Sequence, residues 1–121
     1  MTLDKTVDAY CAAWGEPSGA ARTALLNESW GDVGVYEDPL GVVPPGRSAL
    51  DAHILKFQQG YPGAKIVRTS RVDEHHSKIQ FTWRLILPDG SVAIEGRDFG
   101  ELDASGRIGH IVGFFDLQPA K

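Results

Sequence analysis

Four side chains of the 121-residue chain have types suited to moving protons and stand where the local pattern makes them conspicuous: Tyr10, Asp38, His53 and Asp98. Asp98 is the sharpest. Val92, Ile94, Gly96, Gly100 and Leu102 share its face in a period-two pattern, so strand phase aims a carboxylate at an apolar interior. A carboxylate there is costly unless it keeps its proton or gains a partner. A β-bulge, or pairing with the adjacent Arg97, is the structural alternative; neighbouring strand residues point to opposite faces, which weakens the Arg97 pairing. Gly96 and Gly100 fit either a bulge or a close approach to the sheet. Tyr10 lies in a helical apolar stripe, where its hydroxyl needs a partner. His53 follows Leu50 by three residues and precedes Phe57 by four, on the inward face of another helix. Asp38 precedes Pro39, which suits a turn entry as well as a base.

Other chemistries lack their signatures. A lone cysteine, Cys11, excludes an internal disulfide and a cysteine-based zinc cluster. No His-x-x-x-His spacing occurs, so no metal site is expected. There is no Gly-rich phosphate loop following a strand and no Gly-x-Ser-x-Gly elbow. His75-His76 has turn residues around it and reads as surface, and His110 alternates between two apolar faces, so its direction is open. Twelve Lys and Arg against sixteen Asp and Glu give a net charge of −4, which argues against nucleic acid as a partner. No apolar run approaches the roughly 20 residues needed to span a bilayer. The opening Met1-Thr2-Leu3-Asp4-Lys5 has no charged-then-apolar export signal, so a cytoplasmic location is expected.

The elements that must position these groups follow from periodicity. Leu3, Val7, Tyr10, Cys11 and Trp14 predict a helix over 3–14. Ser18 caps a shorter helix over 19–28 with Ala21, Ala24, Leu25 and Leu26 apolar. Gly31 and Gly34 bracket a break, after which Val35-Tyr36-Glu37-Asp38 is a short extended piece. A third helix is expected over 47–59, stopped by Gly60-Tyr61-Pro62-Gly63. From residue 64 the period becomes two: a strand from Ile66 to Asp73, a turn through Ser77, a strand from Lys78 to Leu87 and a turn at Pro88-Asp89-Gly90-Ser91. A strand from Val92 to Leu102, a turn at Asp103-Ala104-Ser105-Gly106 and a last strand over 107–116 follow. This is an α+β arrangement of one domain, 1–121, with helices on one face of an antiparallel meander.

That order of parts, with Glu37-Asp38-Pro39-Leu40-Gly41 at the end of the first strand, resembles the NTF2-like superfamily. The resemblance is to its ketosteroid isomerase and SnoaL-like polyketide cyclase branch, whose isomerases carry a nearly identical Glu-Asp-Pro-Val-Gly. It covers nearly the whole chain and implies a cone of three N-terminal helices on a curved antiparallel sheet enclosing a cavity. It implies Asp38 as base, with Tyr10 and a protonated Asp98 as donors to a dienolate oxygen. Phe81, Trp83, Ile111 and Phe115 would form the apolar wall, with Trp14 and Phe57 near the mouth or floor. The implied partner is a small apolar ligand with one or two oxygens, with no cofactor, and the implied assembly a homodimer through the sheet. His53 departs from the isomerases' apolar helix position; a His53–Asp98 acid–base pair of the dehydratase or hydrolase type is the alternative. Non-catalytic ligand binding, or an interaction module with a filled cavity, is also compatible with the fold.

Overall fold

The computed structural model describes residues 2–116; the ends of the expected 1–121 domain, Met1 and 117–121, lie outside them. Helix α1, Leu3–Ala13, starts where Thr2 accepts a hydrogen bond from the Lys5 N–H. Its stripe is buried as expected: Val7, Tyr10, Cys11 and, just beyond the helix, Trp14. Helix α2, Gly19–Ser29, is capped by Ser18. Here the expectation needs correction. Ala24 faces solvent, and the buried residues of α2 are Arg22, Leu26 and Ser29.

Arg22 is tolerated inside because its guanidinium finds three polar partners. It pairs with Asp51, donates to the Glu16 carbonyl at 2.9 Å and reaches Gln58. Gln58 in turn donates to the carbonyls of Trp14 and Glu16 at 3.1 and 2.9 Å. The network ties the end of α1, the body of α2 and helix α3, Arg47–Gly60, into one unit. On α3, Leu50 and Ile54 are buried, while His53 and Phe57 are half-buried beside them.

The strands are β1 (Trp30–Asp38), β2 (Gly41–Val43), β3 (Lys65–Arg68), β4 (Asp73–His75), β5 (Lys78–Ile86), β6 (Val92–Leu102) and β7 (Ile108–Phe115). They form one sheet in the order β2-β1-β7-β6-β5-β3, with β4 also on β5. Together with the helices this is an α+β arrangement, as the sequence predicts. The sheet is mixed rather than purely antiparallel: β1 runs parallel to β7, and every other pairing is antiparallel.

Strand β1 is longer than predicted because its glycines serve packing rather than termination. A Cβ on Gly34 would sit 2.6 Å from the Trp30 indole nitrogen, and one on Gly31 would meet the Asp103 carboxylate. The predicted strand from Ile66 to Asp73 divides into β3 and β4. Between them Thr69 N–H donates to the Thr82 carbonyl, and the Ser70 hydroxyl accepts the Thr82 N–H. The turn narrows to His76 and Ser77, both with positive φ. No helix among the described residues is long and apolar enough to cross a membrane.

Candidate active site

Alternation along β1 points Tyr36 and Asp38 to the same side, with Glu37 between them facing out. The Tyr36 hydroxyl donates to Asp38 Oδ2 at 2.8 Å, and the Leu40 N–H donates to Oδ1 at 2.8 Å, fixing the carboxylate at the turn after β1. Asp98, 5% exposed on β6, points inward as its strand phase predicts. Pairing of β6 with β5 is continuous from Lys78↔Glu101 to Leu85↔Ile94, so no bulge turns Asp98 inward. Arg97 lies between Thr82 and Phe114 on the opposite face, and its exposed side chain is paired neither with Asp98 nor across the sheet interior. The partner of Asp98 is Trp83, whose indole N–H donates to Oδ1 at 3.1 Å.

Strand β7 brings the two carboxylates together at Gly113. A Cβ on that residue would lie 3.1 Å from Asp98 Oδ1 and 3.5 Å from both the Asp38 Cβ and the Tyr36 hydroxyl. The absence of a side chain at Gly113 leaves room for both acids to face one cavity of about 540 Å³. Tyr10, Trp14, Tyr36, His53 and Phe57 line its helical side and the adjacent end of β1. Trp83, Leu85, Ile94, Asp98 and Phe115 line its sheet side, and Asp38, Leu40, Lys56, Gly60, Tyr61, Ile66, Ala93 and Asp116 complete it.

Burial dominates the electrostatics. It pushes the Asp98 carboxyl up to about 7; the Trp83 N–H opposes this and the charge of Asp38 adds to it. Burial first, then Asp98, raise the hydroxyls of Tyr10 and Tyr36, and Asp38 adds to the rise at Tyr36. Both tyrosines are therefore neutral donors across the physiological range. Burial lowers His53, against the opposing pull of Asp38 and with help from Lys56, so its ring is neutral at pH 7.

Of the four polar candidates, Tyr10, Asp38, His53 and Asp98 all border this cavity. His53 is not brought to Asp98 as a pair: its ring lies edge-on to Trp14 at 5.7 Å and over Tyr36 at 5.5 Å, and the carboxylate it senses is Asp38. Trp14, Phe57, Trp83 and Phe115 line the cavity as anticipated. Phe81 and Ile111 do not. Both face inward and are buried, but they belong to the packed core, Ile111 lying against Gly100. Strand phase gives the side of the sheet, not the depth along it.

Tyr36 is the polar cavity residue that sequence reasoning passed over. The signal was present, since a tyrosine two residues before Asp38 on an extended segment must share its face. His110 turns outward and meets Glu37 at 2.7 Å. His75 and His76 are exposed, and among the described residues no group of three potential ligands could hold a metal ion.

No family model matches the chain, and no curated protein does. Solved structures do. A candidate isomerase of the SnoaL-like family from Agrobacterium tumefaciens superposes with a TM-score of 0.86 at 35% identity, over 96% of this chain and 99% of that one. A protein with a ketosteroid isomerase-like fold from Catenulispora acidiphila, in complex with trimethylamine, gives 0.73 at 13% identity over 96% and 88%. SalBIII, an epoxide hydrolase/cyclase-like enzyme of pyran ring formation in polyether salinomycin, gives 0.70 at 17% identity over 95% and 91%. The last two establish likeness of fold.

Proposed function

Because the chain belongs to the SnoaL-like family, we propose that residues 1–121 form one domain of that family whose cavity moves a proton on a small, mostly apolar carbonyl compound. The Asp38 carboxylate takes a proton from the carbon beside the carbonyl. The electron pair moves onto the carbonyl oxygen, and the O–H groups of Tyr10 and neutral Asp98 donate to the enolate that forms. The proton returns from Asp38 to a second carbon, giving an isomer. In a compound with a second carbonyl the enolate carbon instead adds to that carbonyl carbon as the first C=O re-forms. The broken π pair moves to the second oxygen, and Asp38 returns its proton there, closing a ring. His53, neutral in the cavity, is a further acid–base group beside Asp38. These steps use side chains and call on no cofactor or metal.

The observation that carries this reading is the meeting of Asp38, Tyr36 and Asp98 around Gly113 at one cavity. Burial, with the charge of Asp38 adding to it, favours the protonated form of Asp98, which leaves one carboxyl as a neutral donor beside the other. The test is incubation with a panel of β,γ-unsaturated and β-dicarbonyl compounds in D₂O, with deuterium at the α-carbon followed by mass spectrometry. The wild type should incorporate deuterium and Asp38→Asn should lose at least about a hundredfold in rate. Equal incorporation by both would remove Asp38 as base.

A second reading, ligand binding without chemistry, draws on the Catenulispora neighbour solved with trimethylamine. Tight retention of a panel compound with no exchange over hours would favour it. The same proposal includes a homodimer through the outer face of the sheet, where Phe99 and Phe114 are 41% and 55% exposed and meet with ring centroids 5.8 Å apart.

A further inference from the structure

The cavity wall contains an arrangement that the proton-transfer steps do not use. Trp83 on β5 pairs directly with Gly96 on β6, two residues before Asp98. Its indole lies across Gly96 so closely that a Cβ there would collide with the six-membered ring. Phe115, the partner of Gly96 on β7, stands edge-on to the indole at 6.0 Å. The ring is thus laid flat along β6 with its N–H on Asp98 Oδ1, in a bond buried at both ends. No described residue hydrogen-bonds Asp98 Oδ2.

We propose that Trp83, seated on Gly96, is the positioning residue that decides which oxygen of Asp98 carries its proton. An indole nitrogen only donates. Oδ1 must therefore face it as an acceptor, and the proton of neutral Asp98 resides on Oδ2, the oxygen left for a ligand. Gly96 is the condition for this geometry: any side chain there lifts the indole from the strand and breaks the alignment. Trp83 is then more than apolar wall, and the two-residue spacing of Gly96 and Asp98 sets one flat donor beneath one acid.

The inference rests on the reading of neutral Asp98 as a donor, and its test does not depend on turnover. The charged and titratable groups that face Asp98 are Asp38, whose charge acts on it, with Tyr36 on β1 and Tyr10 and Cys11 on α1, on which it acts. With these unchanged, ¹³C-carboxyl NMR of aspartate-labelled protein follows Asp98 in the wild type, Trp83→Phe and Gly96→Ala. An N–H donor favours the ionised form, so removing it should raise the Asp98 midpoint by about one pH unit in Trp83→Phe. Gly96→Ala should move it the same way although Trp83 is retained. Lower thermal stability with an unmoved midpoint in Trp83→Phe would overturn the proposal. A shift in Trp83→Phe with none in folded Gly96→Ala would overturn the role of Gly96. If Gly96→Ala does not fold, Trp83→Phe alone decides. A 4-nitrophenol titration of the wild type, read by its absorption on ionising, tests the underlying reading separately. Failure to bind the phenolate would count against Asp98 and Tyr10 as oxyanion donors while leaving the Trp83 result standing.

Discussion

An aspartate enclosed by Trp83, Tyr10 and Phe115 holds its proton to a higher pH than one in water, and the folded state inherits that preference. In the unfolded chain Asp98 returns to the ordinary carboxyl value of about 4, while in the fold it titrates at about 7. Because the folded value is the higher one, the contribution of Asp98 to stability is fully present below about pH 4 and is lost as pH rises through about 7. Asp98→Asn removes the titration. Urea denaturation at pH 4 and pH 8 should show the variant gaining on the wild type by several kcal/mol over that span; a gap constant with pH would contradict this burial account. Gly113→Ala acts at the same site from the other side. Its methyl group would press on Asp98 Oδ1 and on the Tyr36–Asp38 pair, and a few tenths of an ångström must be given. Stability should fall by about 1 kcal/mol, while deuterium exchange falls about tenfold or more, because reacting groups tolerate less displacement than a fold does. Proportionate small losses in both would indicate that Gly113 serves packing alone.

At the scale of elements, the cavity depends on three helices held at fixed distances from the sheet. Arg22 carries much of that duty through Asp51, Glu16 and Gln58, and its side chain is 4% exposed. Arg22→Ala leaves Asp51, a third exposed, without its partner and strips the Glu16 carbonyl of one donor. The unfolding free energy should drop by about 2–3 kcal/mol in urea denaturation; a loss under about 0.5 kcal/mol would show that the helices are held by apolar packing alone. The helices themselves were legible in the sequence to within a residue or two, since stripe, cap and stop signals are local. Arg22 was not, because a buried arginine is specified by partners 29 and 36 residues away. The inward direction of Asp98 was legible for the same reason as the helices: six alternating residues define a face. The parallel seating of β1 on β7 joins segments about 75 residues apart in the chain, as in Tyr36↔Ile111, and nothing local announces it. Gly31 and Gly34 read as breaks because their close neighbours, Asp103 and Trp30, are visible only once the strand is packed.

The whole molecule has two differently furnished sheet faces. The inner one closes on the helices around a core of Trp30, Leu26, Leu50, Ile54, Ile108 and Ile111 and leaves the cavity at one end. The outer one carries Phe99, Phe114, the His110–Glu37 pair and the charged residues of β5 and β6. The proposed homodimer would bury these exposed aromatics against a second copy. Sedimentation velocity should find the wild type as a dimer and Phe114→Lys shifted toward monomer; a monomeric wild type at micromolar concentration would remove the outer face as an interface. The central claim, that neutral Asp98 serves a proton transfer begun by Asp38, has one direct measurement: the rate of α-carbon deuterium exchange against pH in the wild type and Asp98→Asn. The wild-type rate should fall as pH rises through about 7, where Asp98 loses its proton, and the variant, whose amide stays a neutral donor, should be slower at low pH but lack that fall. A wild-type rate unchanged through that range, or the same fall in both proteins, would contradict the account.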